Sequence, residues 1–213
     1  EAAVLERFHR ELRRELDQLD IRSRVIYVDD GSSDGTANAL AGLFREDPSV
    51  SVIELSRNFG HQAALTAGLS VADADAIVTM DGDGQHPASL IPQMVQLARQ
   101  GFDVVLTERR QHTGAGAMKS GTSTLFYRVL NFMGSTQLTE GGADFRLMRA
   151  PVAEALRQMP EYHRFLRGMV AWAGFRSTTL AFSAPARFAG ESKYSGRKML
   201  RLAAHAMFSF SLM

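Results

Sequence analysis

Between residues 24 and 107 short apolar runs alternate with helical patterns, and this alternation limits the fold more than any other feature. The runs cover residues 24–29, 50–55, 77–80 and 102–107. Helical patterns occupy a stretch ending near Arg45, residues 61–71, and residues 89–99, the last with Pro92 in its first turn. Connections are short. Strand–helix alternation of this kind predicts a parallel, right-handed, doubly wound α/β sheet with helices on both faces. The strands are apolar throughout, as strands covered on both sides are. A preceding helix over residues 1–19 carries Val4, Leu5, Phe8, Leu12, Leu16 and Leu19 as one stripe, and its Arg and Glu side chains read as solvated surface.

The third run leads directly into Asp81-Gly82-Asp83-Gly84-Gln85-His86-Pro87. The glycines and the proline force a turn, so a strand delivers two carboxylates at its C-terminal end, where open α/β sheets bind ligands. Hard oxygen donors on a tight turn suit Mg²⁺ or Mn²⁺, above all an ion that also holds phosphates. Gln85 offers a further oxygen and His86 a nitrogen. An EF-hand loop is excluded: counted from Asp81, His86 stands where glycine is required and Pro92 where the bidentate glutamate belongs. The bland alternative is a pair of solvated turn residues.

The first strand also ends in acids, within Asp29-Asp30-Gly31-Ser32-Ser33-Asp34-Gly35-Thr36. In a parallel sheet both acid sets fall on one edge, where a nucleotide would lie. Asp30 would accept from a base N–H or a ribose hydroxyl, and Ser32 would donate. Helix capping by Asp34 or Ser33 is the competing account. No dinucleotide-binding glycine fingerprint, P-loop or nucleophile elbow is present.

The second half is less regular. Residues 109–116 are polar and glycine-rich, and 118–133 read as a helix. Residues 144–148 read as a strand, 151–159 and 165–173 as helices, and 175–182 as a strand. The loop Arg187-Phe188-Ala189-Gly190-Glu191-Ser192-Lys193-Tyr194 suits a phosphate clamp that closes over a site, or a plain basic surface. Residues 197–213 pattern as a helix with Arg197, Arg201 and His205 on one side and Met199, Leu202, Met207 and Phe210 on another. A membrane-surface helix is favoured over a packed one.

With 213 residues, 45% hydrophobic and 22% charged, the chain is long enough for one domain with a real core. Lys plus Arg is 24 against 23 Asp plus Glu, which argues against a general nucleic-acid binder. The absence of cysteine excludes disulfides, zinc–thiolate sites and thiol catalysis. No apolar stretch reaches the roughly 18 residues of a membrane span. The start at Glu1 and the stop at Met213 inside an apolar pattern read as a piece of a longer protein.

Taken in order, Asp29 to Thr36, Arg57-Asn58-Phe59-Gly60, Asp81 to Pro87, Asp144-Phe145-Arg146 and Arg187 to Tyr194 resemble the family-2 glycosyltransferases of the GT-A fold. The branch they are most similar to is the polyprenyl-phosphate hexosyltransferases. Arg164-Phe165-Leu166-Arg167-Gly168 with Trp172 and Gly174-Phe175 resembles the bacterial bactoprenol type. The family opens with a strand ending in Pro-x-x-Asn-Glu, of which only Glu1 stands here. Its Asp-Ala-Asp-Leu-Gln is Asp-Gly-Asp-Gly-Gln here, keeping the ligands on a more flexible turn.

The resemblance implies a GT-A, Rossmann-like, mostly parallel sheet over residues 1–196 and an amphipathic juxtamembrane helix over 197–213. It implies metal-dependent, inverting transfer of a hexose from a nucleotide sugar, UDP by preference, to an undecaprenyl-phosphate-like lipid. The catalytic residues would be Asp144, Asp81 and Asp83. Glu1, Asp30, Ser32, Arg57, Asp81 and Gly82 would hold the nucleotide. Asp83, Gln85 and Asp81 would hold Mg²⁺ or Mn²⁺. Arg109, Arg128, Arg187 and Lys193 would hold the acceptor phosphate, and Gly190, Ser192 and Tyr194 would belong to a closing loop. Work at the cytoplasmic face of a bacterial inner membrane follows, with transmembrane helices in the missing C-terminal part and a homo-oligomer left open. Two other functions stay open: transfer to a sugar hydroxyl, which needs a general base, and nucleotide-sugar binding without catalysis.

Overall fold

The computed structural model describes residues 2–109, 142–162 and 164–183. The helix expected over 118–133, the loop 184–196 and the terminal helix 197–213 lie outside the described residues. Helix α1 (Ala2–Leu16) is followed by β1 (Val25–Asp29), α2 (Thr36–Glu46), β2 (Val50–Glu54), α3 (His61–Val71) and β3 (Ala76–Thr79). A 3-10 turn (Ala88–Leu90) leads into α4 (Ile91–Arg99), then β4 (Val104–Arg109). After β5 (Gly142–Arg149) come α5 (Ala150–Gln158), α6 (Leu166–Trp172) and β6 (Ser177–Phe182).

Strands β1 and β2 pair in parallel, Val25 opposite Val50 and Asp29 opposite Glu54. The other four form a second, separately hydrogen-bonded sheet in the order β3-β5-β4-β6, where the alternation predicts one continuous sheet. Here the sheet is more mixed than the alternation predicts. Strand β5 lies antiparallel to both β3 and β4, while β4 and β6 are parallel. A strand's own residue pattern carries no information about its direction. The reversal matters for the site: Thr79 pairs with Arg146. The residues just past β3 therefore meet the beginning of β5, and Asp144 reaches the edge that carries Asp81.

Two apolar clusters flank the sheet, as a doubly wound fold requires. One gathers Leu5, Phe8 and Leu12 of α1, Leu40 and Leu43 of α2, and Ile91 and Met94 of α4 against Val105, Phe145 and Leu147. The other joins Leu69 of α3, Val152 and Leu156 of α5, and Leu166, Met169 and Val170 of α6 to Val104 and Met148. Adjacent residues of β4 and β5 thus serve opposite layers, the period of two expected of strands. At about 1.5–3 kcal/mol for each large side chain fully removed from water, these layers dominate the fold's stability.

The polar side of α1 is not plain solvated surface. His9 is buried; its Nδ1 lies 3.0 Å from the Tyr27 hydroxyl and its Nε2 3.3 Å from Asp47. Burial lowers the His9 pKa against the pull of Asp47, and raises that of Tyr27 well above its ordinary value. Arg13 donates to Ser23 and Ser49, at 3.2 Å each, and so ties α1 to both strand entries. On the other layer, Arg157 of α5 closes the end of α3. Its Nε donates to the Leu69 carbonyl at 2.9 Å and its Nη2 to the Ala72 carbonyl. Carbonyls at a helix C-terminus lack partners within the helix, and a cation there is favourable.

Replacing Arg157 by Ala strands those carbonyls beneath α5. We expect a loss of about 1–3 kcal/mol in denaturant unfolding, with Arg157→Lys intermediate because one ammonium cannot span both acceptors.

Candidate active site

The site is built outward from the end of β1. Asp29, only 4% exposed, accepts the Ser32 N–H at 3.0 Å and shapes the turn that follows. Asp30 reaches across to the segment before α3. Its Oδ1 accepts the Phe59 N–H at 2.7 Å and its Oδ2 the Gly60 N–H at 2.8 Å. Just after these acids, Gly31 has φ +66°, and a methyl built there would lie 2.4 Å from the Arg57 carbonyl carbon. The two loops therefore touch backbone to backbone. Gly60, at φ +100°, turns the chain into α3. Asp34 accepts from the Thr36 N–H at 3.0 Å and the Thr36 hydroxyl at 2.5 Å just ahead of α2, whose N-cap is Gly35, without a side-chain cap.

This clamp sets His61 as the first residue of α3, between two carboxylates. Its Nε2 lies 3.1 Å from Asp144 Oδ2 and its Nδ1 3.8 Å from Asp81 Oδ1. Its neighbour Gln62 accepts the Leu166 N–H at 3.0 Å and fixes the start of α6. Asp144 is 13% exposed and carries two further cations: Arg146 bonds Oδ1, and Arg167 approaches Oδ2 at 3.4 Å. Asp144 and Arg146 are two apart on one strand, so they share a face. Thr79 and Thr107 donate to the carbonyls of Asp144 and Phe145, at 2.6 and 2.7 Å, and hold β5 from both neighbours.

The electrostatics follow from this packing. Burial pushes the Asp144 carboxyl up. The His61 hydrogen bond and the charges of Arg146 and Arg167 outweigh that and hold it well below the usual carboxylate range. His61 moves the other way: the bond to Asp144 raises its pKa, burial opposes, and the charge of Asp81 adds to the rise.

The Asp81–Asp83 turn is braced from inside. His86 is buried; its Nδ1 accepts the Asp81 N–H at 2.9 Å, so the proton of the neutral ring sits on Nε2, 3.7 Å from Asp81 Oδ2. Its ring stacks on Phe145 at 5.1 Å and meets the edge of Phe182 at 6.1 Å. Burial lowers its pKa against the pull of three carboxylates. His86 is thus a brace and not the nitrogen ligand the sequence allowed. Asp83 accepts the Gln85 N–H at 3.0 Å. Arg109 Nη1 lies 3.5 Å from Gln85 Oε1, which brings that expected phosphate ligand to the turn. Gly82 is exposed, with nothing within 4 Å of a methyl built there.

The expected residues Asp81, Asp83, Gln85, Arg109 and Asp144 thus fall at one edge. Asp30 spends both oxygens on loop amides, Ser32 is exposed, and Arg57 stacks its guanidinium 3.9 Å over the Phe59 ring. Glu1, Arg128, Gly190, Ser192, Tyr194, Arg187 and Lys193 lie outside the described residues. Sequence reasoning missed His61, Arg146 and Arg167 as site residues. The period of two marks Arg146 as a partner for Asp144, and His61 opens the helix right after a quoted motif. Only the fold brings Arg167 to them.

Among the described residues no three His, Asp or Glu side chains group into a closed metal site. The turn does fit a hard divalent ion that takes its remaining ligands from water and phosphate. Asp81, Asp83 and Gln85 supply only oxygens from a single turn, and that donor chemistry suits Mg²⁺ or Mn²⁺.

This sheet, with helices on both faces and acids along one edge, is a GT-A fold. It superposes on a mannosyltransferase of Pyrobaculum calidifontis, solved with GDP-mannose and Mn²⁺, at a TM-score of 0.58 and 19% identity, over 96% of this chain and 57% of that one. The chain belongs to glycosyl transferase family 2, whose model matches residues 1–157. It is 36% identical to an uncharacterized glycosyltransferase of Synechocystis sp. over 209 residues, 98% of this chain and 66% of that protein. It is 34% identical to a prophage bactoprenol glucosyl transferase homolog of Escherichia coli, over 93% of this chain and 65% of that protein. The chain thus spans just under two thirds of these relatives' lengths.

His61 should titrate above its ordinary value of 6.5 in the metal-free protein, followed by its ring proton shifts. Because the folded value is raised, the stabilising pair with Asp144 is fully present below 6.5 and is lost as pH rises through the folded value. Asp144→Asn should bring the His61 midpoint down.

Proposed function

We propose that this chain is the catalytic part of a metal-dependent, inverting hexosyltransferase that uses a nucleotide sugar, UDP-linked by preference, and the phosphate of a polyprenyl lipid as acceptor. The observation that carries this reading is the state of Asp144. A carboxylate held ionised by His61, Arg146 and Arg167 is a poor proton acceptor near neutrality. Transfer to a sugar hydroxyl needs such an acceptor. A phosphate monoester does not: its second pKa is about 6, so its oxygen is already anionic and needs only positioning.

The chemistry then balances without a base. An acceptor phosphate oxygen forms a bond to the anomeric carbon from the face opposite the leaving group. The bond from that carbon to the nucleotide diphosphate breaks, and the diphosphate leaves with the electron pair. The product is inverted, a β-linked lipid-phosphate sugar. When bound, Mg²⁺ or Mn²⁺ neutralises the departing diphosphate, with Asp81, Asp83 and Gln85 as its protein oxygens. His61 keeps Asp81 in register with Asp144, and Asp144 orients reactants without exchanging protons. The bactoprenol glucosyl transferase names among the relatives, in Escherichia coli and in Shigella phage SfV, support the lipid acceptor. A lipid acceptor also calls for a site at the cytoplasmic face of the membrane, with residues 197–213 as a surface helix and Arg128, Arg187 and Lys193 near the phosphate. Among the described residues no helix is long and apolar enough to cross a membrane.

Full-length protein in detergent, given undecaprenyl phosphate and a panel of UDP- and GDP-sugars, should transfer one sugar to the lipid. Chelator should stop the reaction, and added Mg²⁺ or Mn²⁺ should restore it. Asp144→Asn should cut turnover by about 10- to 100-fold while leaving clear activity, as expected for lost orientation. Transfer to a sugar hydroxyl, with Asp144→Asn at background, would replace this reading.

A further inference from the structure

We propose that His86 is a positioning residue for the divalent ion: by holding the main chain at Asp81, its Nδ1 sets the path of the turn that offers Asp81, Asp83 and Gln85 to the metal. This rests on the metal reading of that turn and names a residue the reading does not require.

All three oxygen donors lie between residues 81 and 85, with glycine at 82 and 84. Glycine admits more backbone paths than any other residue, and Gly84 uses one of them at φ +76°. The pairing of β3 with β5 ends at Thr79, so the strand ladder does not reach Asp81. The Asp81 N–H is taken instead by His86 Nδ1 at 2.9 Å. This bond joins the first donor residue to the residue just past the last, and so closes the whole stretch into a ring. Within it, Asp83 accepts the Gln85 N–H at 3.0 Å. The imidazole is a firm anchor. It is buried, stacked on Phe145 at 5.1 Å and set against the edge of Phe182 at 6.1 Å, and those two rings meet each other at 6.1 Å. The Asp81 carboxylate also lies between two imidazoles, His86 Nε2 at 3.7 Å from Oδ2 and His61 Nδ1 at 3.8 Å from Oδ1. Both distances exceed a hydrogen bond, which leaves the main-chain tether as the firmer of the holds. Groups that orient metal ligands without touching the ion govern its affinity, because they settle the cost of gathering the ligands beforehand. His86 does two separable things here: its ring packs, and its Nδ1 accepts. Phenylalanine keeps the ring without the acceptor. Asparagine carries an acceptor, Oδ1, equally far along its side chain, without the ring.

The test measures Mn²⁺ binding to full-length protein in detergent, alone and again with UDP, from the electron paramagnetic resonance signal of free Mn²⁺. Melting temperature is recorded beside it. His86→Phe should weaken Mn²⁺ binding by about 10- to 100-fold, whereas His86→Asn should stay within about threefold of wild type. His86→Asn should nevertheless have the lower melting temperature, since it gives up the stack on Phe145. A role in packing alone reverses the order: His86→Phe binds Mn²⁺ like wild type, and His86→Asn loses affinity together with melting temperature. That reversal overturns the inference and leaves the metal reading intact, as does equal affinity in all three proteins. If the wild type binds no Mn²⁺ under either condition, the metal reading falls and this role falls with it. Should His86→Phe not fold, His86→Leu removes the acceptor in the same way and carries the comparison with His86→Asn.

Discussion

Asp144 has to remain an anion where little water reaches it, and the sheet edge is arranged around that demand. A carboxylate in such a place would ordinarily take up a proton. Arg146, two residues along the same strand face, prevents this by proximity that β geometry makes unavoidable. Arg146 is itself buried, so the pair is costly unless well satisfied, and breaking one side would leave a stranded charge. His61 and Arg167 complete the shell from two helices of the same layer. Reversal of β5 is what makes the arrangement reachable, because only an antiparallel strand starts where β3 ends.

The remainder of the site is positioned through a short chain of contacts. Asp30 holds two amides, those amides fix the entry to α3, and the entry sets His61 between Asp144 and Asp81. Gln62 extends the same support to α6. On the opposite layer His86 holds the root of the Asp81–Asp83 turn against Phe145 and Phe182. Asp144 and the Asp81–Asp83 turn are thus steadied by separate supports that meet at Asp81.

Much of the fold was legible because periodicity is a local property. The alternation of apolar runs and helical stripes located every described strand and helix to within a few residues. The direction of β5 was not legible, since a strand's residues do not record which way its neighbours run. The acids at the strand ends were found from composition and turn chemistry alone. Their partners were not, because Arg167 meets Asp144 only through tertiary packing, and His86 looked like a ligand until its ring was seen stacked in the core. Asp30 shows the same limit: its hold on the Phe59 and Gly60 amides joins residues some thirty apart, which no local pattern records.

The contact at Gly31 constrains how the family could diversify here. Its missing side chain leaves room for the main chain of residues 57 and 58, not for any side chain of theirs. Exchanging Arg57 or Asn58 for smaller residues would therefore create no space for a methyl at position 31. The coupling between the two loops is one of path and not of residue identity. Positions 57 and 58 can vary their chemistry, and so retune whatever they face, while position 31 stays glycine.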